Sequence, residues 1–155
     1  HYPVKAVETM NRIMLCTERE MLTHHRDHFH INRRINPVTA AVTQAATEVA
    51  ESIQAKLIVI ATRSGATASV KSQSRSRIPT FAASDSIRTI RQMNLLWGIK
   101  PITSQHVESP STLIAEVCDW GREHNHLSPG DHVVFVTGTG FVENAHNLVV
   151  VHTVT

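Results

Sequence analysis

Between Lys56 and Val70 the chain reads Lys-Leu-Ile-Val-Ile-Ala-Thr-Arg-Ser-Gly-Ala-Thr-Ala-Ser-Val, and this stretch restricts the fold more than any other. Leu57 to Ala61 is a short, unbroken apolar run rich in β-branched side chains, the pattern of a strand buried on both faces. Thr62, Ser64 and Thr67 then surround Gly65, and small residues lead into a helical pattern, so the strand turns sharply into a helix N-terminus. Such a junction aims backbone N–H groups and the positive end of a helix dipole at one point, which attracts phosphate. The same composition also suits a plain tight connection between strand and helix. Neither the Gly-x-Gly-x-x-Gly spacing of a dinucleotide site nor the Gly-Lys-Ser/Thr ending of a nucleoside-triphosphate loop is present.

The remaining sequence narrows the class. At 155 residues, with 41% hydrophobic and 18% charged residues, the chain suits one globular domain with a substantial core. A net charge of +2 provides no extended basic footprint for nucleic acid or membrane, and aromatics at 5% leave few platforms for stacking bases. Cys16 and Cys118 are the only cysteines, and both lie in helical patterns among apolar neighbours, so both read as buried thiols of a reducing compartment. No signal peptide or membrane-spanning run is evident, and a cytoplasmic protein is expected. The chain starts at His1 without an initiator Met and enters a helix almost at once, which reads as a piece of something longer.

Taken in order, Pro3 to about Leu22 forms an amphipathic helix with Val4, Val7, Met10, Ile13 or Met14, and Met21 on one face. Residues 24–35 follow as a polar linker. Its histidines, His24, His25, His28 and His30, together with Asp27, are of the right chemistry for zinc but lack a closing ligand of recognisable spacing, so adventitious metal binding is the simpler reading. Asn36 and Pro37 open a second helix to about Gln54, with Val38, Ala41 or Val42, Ala45, Val49 and Ile53 as its apolar stripe. After the central strand and a helix to about Gln73, Ser72 to Arg77 reads as a solvated loop and Ile78 to Ala83 as a strand. Asp85 caps a helix carrying Ile87, Ile90, Met93, Leu96 and Trp97, which Gly98 stops.

Pro101 to Thr103 is a short strand whose proline favours its first position or an edge. Ser109 and Pro110 start a helix with Leu113, Ile114, Val117 and Trp120 facing inward. His132 to Thr137 is the fourth strand, Gly138-Thr139-Gly140 opens a loop to about His146, and Leu148 to Val154 is the last strand. No helix fits between these two strands, so they pair antiparallel. The fold expected for residues 36–155 is an open three-layer α/β domain of about five strands, mostly parallel, with the last strand reversed. Ligands in such sheets bind beyond the carboxyl ends of the strands, where Thr62 to Thr67 and the loop from Gly138 both lie.

In this order the chain resembles the C-terminal domain of pyruvate kinase. Tyr2-Pro3-Val4-Lys5-Ala6-Val7 with Met10, Arg12 and Ile13 is similar to the last helix of that enzyme's barrel. Ala55 to Ala68 resembles its Thr-x-Ser-Gly-Arg-Thr-Ala turn, and Ile78-Pro79, Phe81-Ala82 and Leu96-Trp97-Gly98-Ile99-Lys100-Pro101 resemble the blocks that follow. Gly130-Asp131 ahead of Val133 to Gly138, and Asn147 ahead of the final valines, are similar to its last hairpin.

The resemblance implies a regulatory and tetramer-forming domain of an enzyme that transfers phosphoryl from phosphoenolpyruvate to ADP with Mg²⁺ and usually K⁺. That chemistry and both metals belong to a separate barrel, so no catalytic or metal-binding residue carries over, no cofactor is expected in this chain, and the segment alone is expected to be inactive. What carries over is an effector site, with a sugar phosphate or other phosphorylated effector at Thr62, Arg63, Ser64, Gly65, Ala66 and Thr67, joined by Gly138, Thr139 and Gly140. Ala66 stands where the family commonly has Arg or Lys, and the loop after Gly138 lacks the Trp, Arg and Pro of sugar-bisphosphate binders. Arg63 is then the candidate cation, with a plain solvent-facing arginine as the alternative. Expected partners are the barrel domain and further copies of the chain. A free-standing phosphometabolite-binding protein and a pure assembly module are the alternatives.

Overall fold

The computed structural model describes residues 2–21, 36–138 and 146–155. The polar segment with His24 to His30, and Thr139 and Gly140, lie outside the described residues. The chain divides into two units, residues 1–30 and residues 31–155.

The first unit is represented by helix α1 (Pro3–Met21). Its apolar side chains, Val4, Val7, Met10, Ile13, Met14 and Leu15, are all exposed. Cys16 is exposed as well, against the expectation of a buried thiol. Helical periodicity locates an apolar face but does not supply a surface to cover it.

The second unit contains α2 (Pro37–Ser52), β1 (Leu57–Ala61), α3 (Ala66–Gln73), β2 (Thr80–Ser84), α4 (Ile87–Met93), β3 (Ile99–Thr103), α5 (Pro110–Glu123), β4 (His132–Gly138) and β5 (His146–Thr153). They form one five-stranded sheet in the order β3-β2-β1-β4-β5. The first four strands run parallel and β5 is antiparallel to β4. Strand alternation divides β1 between two cores. Leu57, Val59 and Ala61 join Phe81, Val133 and Phe135 beneath Leu113 and Val117 of α5, whereas Ile58 and Ile60 join Val134 and Val136 beneath Ala46 and Ala50 of α2. Ala68 of α3 and Met93 of α4 enclose Ala82 on the latter side. Helices on both faces make three layers, as expected for an apolar run such as Leu57–Ala61.

Several boundaries differ from the sequence reading for identifiable reasons. The buried face of α2 holds Thr39, Thr43, Ala46, Thr47 and Ala50, while Val38 and Ala45 are exposed. Threonines are tolerated there because Thr43 Oγ1 donates to the Thr39 carbonyl (2.7 Å) and Thr47 Oγ1 to the Thr43 carbonyl (2.9 Å). β2 starts at Thr80, after Pro79, which has no N–H to give a ladder. Ser86 rather than Asp85 caps α4, its hydroxyl accepting the Thr89 N–H (3.4 Å), and α4 ends at Met93, well before Gly98. β3 begins at Ile99, and Pro101 is accommodated within it because β3 is an edge strand. Gly138 is the last residue of β4, paired with His146 across a bulge, and not the start of a loop. Ser72 and Ser76, expected in a solvated loop, are buried; Ser76 Oγ donates to Glu51 Oε1 (2.8 Å).

Candidate functional site

Each of the four parallel strands ends on a buried hydroxyl residue: Thr62 after β1, Ser84 closing β2, Ser104 after β3 and Thr137 near the end of β4. Buried hydroxyls need partners. Thr62 Oγ1 accepts the Gly65 N–H (3.0 Å), and Ser84 Oγ accepts the Ser86 N–H (3.3 Å). Ser104 Oγ donates to Glu116 Oε2 (2.6 Å) and accepts the His106 N–H (3.0 Å). All three tie a strand end to the segment leading into the next helix. The element described after β4 is a strand, and Thr137 Oγ1 has no partner among the described residues. A second buried hydroxyl without one is Thr67 Oγ1, in the first turn of α3.

Strand order explains why these two matter. From β1 the chain builds outward through β2 to β3, then returns to place β4 on the other flank of β1. The boundary of β1 and β4 is therefore the switch point of the sheet, where ligands of open α/β domains bind. Ile60 pairs with Val136, so Thr137 lies level with Ala61, immediately before the Thr62 to Thr67 turn.

Within that turn Gly65 adopts φ +80° and begins α3 without a side-chain cap. A Cβ there would meet Thr89 Cγ2 at 3.4 Å and Met93 Cγ at 3.5 Å, which is ordinary contact, so the left-handed backbone and not lack of room requires glycine. Ser64 Oγ accepts the Ala66 N–H only at 3.4 Å. Thr62, Gly65 and Thr67 are buried, whereas Arg63, Ser64 and Ala66 form the exposed lip.

Arg63 is already engaged. Its carbonyl accepts a hydrogen bond from Thr89 Oγ1 (2.6 Å), and its guanidinium lies 2.9 Å from Glu108 Oε1 and 3.6 Å from Asp85 Oδ2. Its side chain is 57% exposed, yet two carboxylates hold it. Of the residues expected in the site, Thr62 to Gly65 form a turn that leads into Ala66 and Thr67 at the start of α3, and Gly138 ends the neighbouring strand. The sequence reading did not assign Thr137, Thr89, Asp85 or Glu108 to the site. A hydroxyl closing every parallel strand is a pattern visible in the sequence; the meeting of residues 63, 85 and 108 is not.

Among the described residues no group of three or more His, Cys, Asp or Glu is placed to hold a metal ion. No described helix is long and apolar enough to cross a membrane. Cys118 is buried in the α5 core, and its thiol pKa is raised by that burial, with Asp119 acting in the same direction and Arg122 against it.

Fold and strand ends together define a class: an open three-layer α/β domain with buried hydroxyls at the sheet's switch point. The family model "Pyruvate kinase, alpha/beta domain" matches residues 40–152, and the chain belongs to that family. It is 34% identical to a pyruvate kinase of Agrobacterium vitis over 97% of its own length and 32% of the relative's. It is 30% identical to a pyruvate kinase of Sporosarcina psychrophila over 99% of its own length and 26% of the relative's. The chain thus spans about a third or less of these relatives. A crystal structure of a pyruvate kinase from Cryptosporidium parvum has the same fold, with TM-score 0.70 and 22% identity, covering 81% of this chain and 24% of that one.

Proposed function

We propose that this chain is the regulatory and assembly domain of a cytoplasmic pyruvate kinase and that the Thr62 to Thr67 turn receives the phosphate of a phosphorylated effector. The phosphoryl transfer from phosphoenolpyruvate to ADP, and the metals it uses, belong in this reading to a barrel domain outside these residues. The observation that carries the effector site is a coincidence of position. The turn, the start of α3 and two buried hydroxyls without partners among the described residues, Thr67 and Thr137, all lie where the strand order reverses. Backbone N–H groups at a helix start suit phosphate, and a buried hydroxyl left unpaired costs about 1–3 kcal/mol until something satisfies it. Ser64 and Ala66, which flank buried Gly65, are exposed and give a ligand access.

Calorimetric titration with fructose bisphosphate, glucose 6-phosphate, AMP and inorganic phosphate tests the reading. Binding of at least one, abolished by Gly65→Val, is expected; silence from all four rejects the effector site. Assembly is favoured separately by β5, the other edge strand of the sheet, whose Val151 is 48% exposed. Pairing of two such edges would make a twofold dimer, and sedimentation of a Val151→Lys variant is expected to report a lighter species than the parent chain.

A further inference from the structure

We infer that Arg63 is a latch on the proposed phosphate site, held off it by Asp85 and Glu108 until a bound anion draws it away. The inference rests on the effector reading above and concerns how that site is controlled. Between Thr62 and Thr67, Arg63 is the only charged residue, so it is the only cation the turn itself can offer an anion. Its guanidinium is directed elsewhere. Asp85 follows β2 and Glu108 precedes α5 after β3, and both strands lie on the flank of β1 opposite to β4. The contacts to Glu108 (2.9 Å) and Asp85 (3.6 Å) therefore pull the side chain towards the β2–β3 rim, away from the β1–β4 boundary. The Thr89 hydroxyl fixes the backbone at its root through the Arg63 carbonyl (2.6 Å), so the side chain, and not the turn, is the part free to move.

Charge completes the argument. One guanidinium with two carboxylates leaves the cluster formally at 1 − 2 = −1, a neighbourhood that opposes an arriving phosphate. Once the guanidinium turns to the anion, it gives charge-assisted hydrogen bonds of the kind it made to the carboxylates. The exchange is easily reversed because the partners are solvated: the side chains of Arg63 and Glu108 are 57% and 71% exposed, and that of Asp85 is 32% exposed. Exposed ion pairs are weak and screened by salt, which makes this contact a bias and not a lock. Measured strengths of such pairs, about 0.2–1 kcal/mol, correspond to roughly 1.4- to 5-fold in affinity for each carboxylate removed.

The test is titration of inorganic phosphate into the chain and its Asp85→Asn, Glu108→Gln and doubly substituted variants, each also made with Arg63→Gln. The latch predicts tighter binding for both single variants, a larger gain for the double variant, and loss of that gain in the Arg63→Gln background. Equal affinities throughout, or weaker binding without the carboxylates, overturn the latch while leaving the phosphate site standing. A gain that persists undiminished with Arg63→Gln also overturns it, because the carboxylates would then be repelling the anion directly. Silence in every variant rejects the site and the latch together. Without ligand, the Arg63 Nε–H resonance in ¹⁵N NMR is expected to exchange faster with water in the double variant; no change there contradicts the held geometry itself.

Discussion

The end of α5 offers a quantitative test of packing through Gly121. Helix α5 closes with the Asn125 N–H donating to the Arg122 carbonyl (3.1 Å) and the His126 N–H to the Gly121 carbonyl (2.8 Å), while Asn125 takes a left-handed backbone at φ 55°. This closure brings Leu127 back over the helix, where it is buried in the core with Leu113 and Val117. A Cβ on Gly121 would lie 2.4 Å from Leu127 Cδ1, 2.6 Å from Cγ and 3.1 Å from Cβ. Gly121→Ala is therefore overpacked by about 1–3 kcal/mol, offset by at most about 1 kcal/mol of helix propensity. Leu127→Ala alone leaves a cavity costing about 2–5 kcal/mol. In the double variant only the 3.1 Å neighbour remains, and the new methyl group occupies part of the cavity. The pair should therefore be less destabilised than the sum of the singles by about 1–3 kcal/mol. Urea unfolding followed by circular dichroism measures all four proteins, with unchanged m-values as the check on two-state behaviour. Additivity to within about 0.5 kcal/mol would refute the claimed contact.

Four further outcomes follow from particular groups. Thr62→Val should destabilise by about 1–2 kcal/mol because the Gly65 N–H loses its acceptor, whereas Thr137→Val, which removes a hydroxyl with no partner among the described residues, should be neutral or stabilising; equal losses in chemical denaturation would contradict the bonding described for the strand ends. In native protein iodoacetamide should alkylate exposed Cys16 and spare Cys118. The raised folded-state pKa of Cys118 means that its contribution to stability is complete below the unfolded thiol's value and declines as pH rises through the folded one, so Cys118→Ala should flatten the loss of stability above pH 9.0; a parallel decline in both proteins would contradict this. Gln54, at φ 52° after α2, should accept glycine with a gain of up to about 1 kcal/mol in melting experiments, and a loss would show that its side chain contributes more than its backbone costs.

How far the sequence reached can be judged element by element. Leu57–Ala61 was readable to the residue because an apolar run with no alternation needs cover on both faces. Antiparallel β5 was readable because too little chain follows β4 for a crossover. Helix ends were harder. Gln54, Arg75 and Asn125 take left-handed backbones with no glycine to announce them, and Gly98, which does announce one at φ +69°, lies after α4 has already ended. The Thr62 to Thr67 turn was visible from its hydroxyls and glycine, since local chemistry specifies local geometry there. Thr137 as its neighbour required the order β3-β2-β1-β4-β5, and the engagement of Arg63 required knowing which three loops share a rim. Periodicity reports which face of an element is buried and is silent about which loop ends meet.

The most direct measurement of the central claim is the backbone amide NMR spectrum of this chain during titration with inorganic phosphate. The account predicts saturable shifts centred on the N–H groups of Ser64 to Ala68, with the Thr137 amide moving in step and the amides of α5 still. An unchanged spectrum, or shifts centred elsewhere, would contradict it.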